Sequence, residues 1–269
     1  MAVEAVPLLI LGGTGRIGTI LHDCWPWAMR DGLRPIWQAR RATPGFLEWN
    51  ILHAPAPPWA GGIVLHLAGG RADPAAEVPL ARAVLAAAAA QRARHVFLAS
   101  SAAVYAPGAD LDEAAAVEPP SAYGRIKRAM ERAALDWHAL HADTGLTILR
   151  IGNVAGADAL LGGAGLAQLA ANGGHGALAA GTAQPVPAPD PPPDRPVTAD
   201  RPGSALRRVP CTTTPPAPIT LDPVAGAPLG PLRSYIGPVT LSAVLAWLAI
   251  MAAAGASLPV VLNVAAPRP

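Results

Sequence analysis

Lys127 is the only lysine in this chain of 269 residues, and it lies four positions after Tyr123, one of just three tyrosines. Random placement would produce that spacing roughly once in a hundred chains of this composition. On a helix, positions i and i+4 share a face, so the spacing in Tyr123-Gly124-Arg125-Ile126-Lys127 sets an ammonium beside a phenol. A free phenol titrates near 10 and is a feeble base at neutral pH. A neighbouring ammonium stabilises the phenolate, which suits the pair to proton transfer. Arginine is not equivalent here, because lysine is a compact point charge on a flexible stem. The bland alternative is an exposed tyrosine and lysine on a solvated helix.

A second cluster is Gly12-Gly13-Thr14-Gly15-Arg16-Ile17-Gly18, directly after the apolar run Val6–Leu11. Gly12 permits a tight turn, Gly15 lets backbone approach a pyrophosphate, and Gly18 lets helix and strand pack closely. The helix amino terminus offers unpaired N–H groups and a favourable dipole to phosphates. About 20 residues on, where a carboxylate would hold the ribose of NAD, the chain has Gln38-Ala39-Arg40-Arg41. Arg40 and Arg41 suit a 2′-phosphate, which favours NADP over NAD. Ser100 and Ser101 close a further apolar run, at the end of a strand where open α/β sheets bind ligands. Ser101 is the candidate to hydrogen-bond a substrate oxygen, against the plainer role of a turn cap.

The elements that must position these groups alternate. Strands are expected at residues 6–11, 35–38, 63–67, 95–99 and 146–150. A helix starts near Arg16 and ends or kinks at Trp25-Pro26-Trp27, and another covers the Ala-rich stretch from Pro79 to Arg94. A third, capped by Ser121, runs to about Ala142. Alternating strand and helix predict an α/β fold, a Rossmann-like doubly wound parallel sheet. The dinucleotide-binding domain is placed at residues 1–163. Residues 164–269 read as a reduced, partly disordered substrate-side region. Within it, residues 181–218 hold twelve prolines without periodicity and read as a linker, and a helix and strand return over 239–264.

Composition narrows the function classes. With 52% hydrophobic and 14% charged residues the chain can bury a sizeable core. A net charge of +2 without a run of five like charges argues against nucleic acid as a partner. Cys24 and Cys211 have no metal-ligand or disulfide spacing, consistent with a reducing, cytoplasmic home. Residues 239–266 lack charge, but Gly255 and Pro259 favour a buried helix and strand over a membrane span. His138 and His141 have no obvious third partner, so no metal is expected. No Gly-x-Ser-x-Gly elbow supports a hydrolase.

Together these segments resemble the extended short-chain dehydrogenase/reductase family, the NAD-dependent epimerase/dehydratase group. The resemblance rests on Gly12–Gly18, on His66-Leu67-Ala68-Gly69, on Ser101 four residues before Tyr105, and on Tyr123 with Lys127. Arg150-Ile151-Gly152-Asn153-Val154-Ala155-Gly156 and Arg233-Ser234-Tyr235-Ile236 add to it. The resemblance covers about residues 6–163 and 219–264. It implies that Tyr123 is the acid/base, that Lys127 lowers its pKa and holds the ribose, and that Ser101 orients substrate. It also implies that Leu67, Ala68 and Gly69 line the cofactor, and that a homodimer forms through the helix bearing Lys127. Two departures stand out: Pro-rich sequence occupies the substrate-domain region, and Gly237-Pro238-Val239-Thr240 replaces an expected acidic pair. The function expected is an NAD(P)-dependent oxidoreductase or epimerase/dehydratase acting on a sugar-like or small carbonyl/alcohol substrate. The alternative is a non-catalytic or truncated NADP-binding sensor of the same fold.

Overall fold

The computed structural model describes residues 5–28, 32–59, 61–69, 73–108, 111–157 and 235–265. The Pro-rich linker expected at 181–218, and Arg233 and Ser234 of the resembling segment, lie outside them. Strand β1 (Val6–Leu11) shows how the sheet is built. Its last four residues are fully buried, with successive side chains pointing to opposite faces. Leu8 and Ile10 enter one core, and Leu9 and Leu11 enter the other. A strand apolar on both faces needs cover above and below it, which the interior of a doubly wound sheet supplies.

The remaining strands are β2 (Leu33–Ala39), β3 (Leu47–Glu48), β4 (Ile63–His66), β5 (His95–Ser101) and β6 (Gly145–Ile151), with β9 (Val261–Val264) at the far edge. They form one seven-stranded sheet in the order β3-β2-β1-β4-β5-β6-β9, and each adjacent pair is parallel. A separate two-stranded parallel pair joins β7 (Asn153–Val154) to β8 (Tyr235–Ile236). The Rossmann-like parallel sheet expected from the alternation is therefore present.

Helix α1 (Arg16–Ala28) and helix α4 (Pro238–Ala253) cover one face, where Leu21 and Trp25 meet Leu245 and Ala249. Helix α2 (Glu77–Ala90) and helix α3 (Ala122–Leu140) cover the other, where Leu85 and Met130 pack on Val64 and Leu98. Pro26 lies in the last turn of α1, so the helix ends within two residues of it. The Ser121 hydroxyl accepts from Gly124 N at 3.0 Å and caps α3 as its position suggested. Residues 235–265 belong to the same compact unit as residues 5–157. The helix and strand that return after the Pro-rich stretch thus complete the main sheet: Arg150 pairs with Asn263, and Ile151 with Val264. Among the described residues no helix is long and apolar enough to cross a membrane.

Candidate functional site

The strand order turns back between β1 and β4. At such a switch point the loops on the two sides lead to opposite faces, and a crevice opens beyond the carboxyl ends. The glycine loop fills this place. Gly12 has φ +82°, and a Cβ there would stand 2.6 Å from Ala68 N, so the β1 turn lies directly on the end of β4. A Cβ on Gly18 would collide with the Gly12 carbonyl oxygen. The loop closes on itself through Gly15 N donating to Gly12 O at 2.9 Å. Thr14, Gly15 and Arg16 are exposed around the amino terminus of α1, whereas Ile17 packs against the core. These are the features of a cradle for an anion: close backbone, no obstructing side chains and a helix start.

Gln38 has a role that sequence reasoning did not assign. It is buried, its Oε1 accepts from Gly12 N at 2.8 Å, and its Nε2 donates to Trp49 O at 2.6 Å. Its main-chain carbonyl also accepts from Gly13 N at 2.9 Å. The carboxamide that replaces the expected acid therefore holds the glycine loop to β2. The only signal in the sequence was its position about 20 residues past the glycines. Arg40 and Arg41 follow it, both exposed. A cleft of about 700 Å³ joins Gly12, Gly15, Arg40, Arg41, Ala68 and Gly69. Asp73 lines the same cleft, and Leu67 joins Ala68 and Gly69 in its wall.

On the far side of β4 stand the other candidates. Lys127 is 8% exposed, whereas Tyr123, one turn earlier on α3, is 55% exposed. Among the described residues the Tyr123 hydroxyl has no hydrogen-bond partner. The Lys127 ammonium is paired with Glu77 and donates to Ala99 O at 3.1 Å. Ser101 caps the short 3-10 turn Ala102–Val104, its hydroxyl accepting from Ala103 N at 3.2 Å. Gly124 brings these elements together, because any Cβ there would collide with the Ala103 carbonyl oxygen. Helix α3 can therefore lie against the turn after β5, next to Ser101. Ser100 points the other way, donating to Glu131 at 2.5 Å. Strand alternation thus separates the two serines.

Beneath Ser101 lies a buried polar network. Arg150 donates to Glu131 through Nε at 3.1 Å and Nη2 at 2.8 Å, and through Nη1 to Tyr105 Oη at 2.8 Å. Tyr105 Oη donates onward to Asn263 Oδ1 at 3.0 Å, and Asn263 N donates to Glu113 at 2.6 Å. Burial alone would lower the pKa of Arg150, but the hydrogen bonds it donates to Glu131 and Tyr105, with the nearby Glu131 charge, outweigh it and raise the value. The network joins α3, β5, β6 and β9 and so holds the floor of the site.

His66 ends β4 beside the Lys127–Glu77 pair. Burial, and then the Lys127 charge, push its imidazole down to about 4, with Glu77 opposing weakly. Among the described residues neither ring nitrogen has a hydrogen-bond partner. An unfolded histidine titrates near 6.5, so on acidification toward 4 the unfolded chain gains a proton that folded His66 refuses. The stability this gives is present above 6.5 and is lost as pH falls through 4. His66→Leu is expected to flatten the fall in urea midpoint between pH 7 and 4, and equal slopes in both proteins would contradict this assignment.

Residues 63–173 match the NAD dependent epimerase/dehydratase family. No curated protein matches the chain. Among solved structures, the chain resembles UDP-glucose 4-epimerase from Brucella ovis in complex with NAD. The two are 24% identical, with 57% of this chain and 54% of that one covered and a TM-score of 0.47. The UDP-Glc/GlcNAc 4-epimerase from Campylobacter jejuni is 18% identical, with coverage of 59% and 57% and a TM-score of 0.48. For UDP-N-acetylglucosamine 4-epimerase from Methanobrevibacter ruminantium M1 the identity is 18%, coverage 56% of each chain and TM-score 0.45. The chain spans little more than half the length of these structures. From β4 through β7, the matched segment carries the His66–Gly69 strand end, Ser101, Tyr123 and Lys127, and over that segment the chain is similar to the NAD-dependent epimerase/dehydratase family.

Proposed function

We propose that this chain is an NADP-dependent oxidoreductase or epimerase/dehydratase with a Ser101–Tyr123–Lys127 site, acting on a sugar-like or small carbonyl/alcohol substrate. The observation that carries the reading is the placement of Lys127. Its buried ammonium lies at the carboxyl ends of β4 and β5, one helical turn from an exposed phenol and next to the wall of the nucleotide cleft. The cradle at Gly12, Gly15 and Gly18 fits a pyrophosphate, and the exposed Arg40 and Arg41 fit a 2′-phosphate better than a bare ribose.

A bound nicotinamide supplies or accepts hydride. The chain's own residues do the remaining work. Tyr123 Oη moves the proton at the substrate oxygen, Ser101 Oγ orients that oxygen, and Lys127 provides the positive charge beside them. Gln38 keeps the phosphate loop in register, and Gly124 keeps α3 against the serine turn.

Titration with NADPH and NADH, followed by nicotinamide fluorescence, tests the reading. The double variant Arg40→Ala/Arg41→Ala is expected to weaken NADPH binding about 10- to 100-fold while leaving NADH within about twofold. Equal losses for both cofactors would remove the 2′-phosphate assignment. A folded protein that binds neither would remove the dinucleotide reading itself. Cofactor binding without turnover across a panel of sugar nucleotides and small alcohols would favour a sensor.

A further inference from the structure

An ammonium has three N–H donors, and the acceptors around Lys127 are unequal. Glu77 takes one as a buried ion pair, and Ala99 O takes another at 3.1 Å. The third rests against the Met130 thioether at 3.9 Å, a weak acceptor. Glu77 is 5% exposed and stands in the first turn of α2, where the helix dipole favours a carboxylate. Its Oε2 lies 3.4 Å from where a Gly69 Cβ would stand, so the carboxylate reaches the wall of the nucleotide cleft. His66, the other titratable group packed here, stays neutral and adds no second positive charge. Glu77 and Lys127 are 50 residues apart in sequence and meet only where α2, α3 and the two strand ends converge.

Building on the cofactor reading above, we propose that Glu77 is a positioning residue for Lys127. With the Ala99 carbonyl it pins the ammonium at the ends of β4 and β5, so that the donor resting on Met130 is the one that turns to a bound nucleotide. Giving up a contact with sulfur costs little. Breaking the pair with Glu77 would leave a buried charge uncompensated, which is far more costly. Two donors therefore stay fixed and one is exchangeable, and Glu77 acts on the cofactor only through Lys127. If the pair merely stabilised the fold, removing Glu77 would lower stability and leave cofactor affinity unchanged.

Because Lys127 is the only lysine, protein labelled with lysine carrying 15N at Nζ gives a single ammonium resonance. In the parent protein this resonance is expected to exchange slowly with water before any cofactor is added, and to shift on addition of NADPH. In Glu77→Gln, exchange is expected to be at least about tenfold faster, and NADPH binding about five- to tenfold weaker. In a Lys127→Met background the same Glu77→Gln change is expected to alter NADPH binding by less than about twofold, since coupled residues are not additive. Equal factors in the two backgrounds, or unchanged exchange in Glu77→Gln, would overturn the positioning role while leaving the cofactor reading intact. Lys127→Met binding NADPH as tightly as the parent overturns the cofactor reading, and this role with it. If Glu77→Gln does not fold, the parent resonance decides: slow exchange supports the anchor, and a fast-exchanging ammonium refutes it.

Discussion

Tyr123→Phe is expected to lower turnover by about 10²- to 10⁴-fold, the usual contribution of a positioned acid/base, with NADPH affinity unchanged. Tyr123 is 55% exposed, and its hydroxyl has no partner among the described residues. Removing that oxygen takes nothing from the fold, and the unfolding free energy should stay within the range of ordinary surface changes, about 0.5 kcal/mol. The combination of lost turnover, intact cofactor binding and intact stability distinguishes a proton-transfer group from a structural one. The measurement is conversion of substrate to product, read as NADPH oxidation or NADP reduction only where the reaction is a net redox one, in parent and variant side by side. Comparable turnover in the two proteins would sink the assignment of Tyr123. A loss shared equally between affinity for NADPH and turnover would instead place the phenol in cofactor binding.

The largest effect on stability is expected at Arg150. Arg150→Met leaves the Glu131 carboxylate, 3% exposed, without its guanidinium partner. Removing one member of a buried pair costs roughly 3–5 kcal/mol, because the remaining charge has neither water nor a counter-ion. Tyr105 loses its guanidinium donor in the same step, while Ser100 keeps Glu131 as its acceptor. Restoring charge balance with Arg150→Met/Glu131→Leu should recover most of the loss, since a well-packed apolar pair often matches a buried ion pair. Urea denaturation of the parent, the single variant and the double variant checks this. A single variant within about 1 kcal/mol of the parent would mean that the network adds little to the fold. A double variant no better than the single would show that the hydrogen bonds to Tyr105 and Ser100, rather than the charge, carry the stability.

Much of the architecture was legible in the order of residues because it depends on local chemistry. The run Val6–Leu11 reads as a strand buried on both faces, and the glycines after it as a turn that allows close approach. Ser121 announced the start of α3, and its hydroxyl makes the expected cap. β3 was missed because two residues carry no periodicity, and Leu47 and Glu48 become a strand only by pairing with Gln38 and Ala39. Gln38 stands where an acidic residue was expected, but its neighbours Gly12 and Trp49 turned it into a brace for the glycine loop. The short strand expected after the returning helix, at residues 260–262, gave no hint that it would lie beside β6, as residues 261–264 do.

The sequence by itself determined the alternation of strand and helix, the glycine cradle, the Tyr123–Lys127 spacing and the resemblance to one family. Each of these depends on residues that are neighbours in the chain or a helical turn apart. Only the tertiary structure decided which groups Lys127 meets, which serine turns inward to Glu131, and that Arg150 ties β6 to α3 and, through Tyr105, to β9. Burial is the reason: a charge removed from water must take whatever partner the packed elements bring to it. Glu77 is 50 residues from Lys127 and Asn263 is 158 from Tyr105, and no local pattern records such meetings.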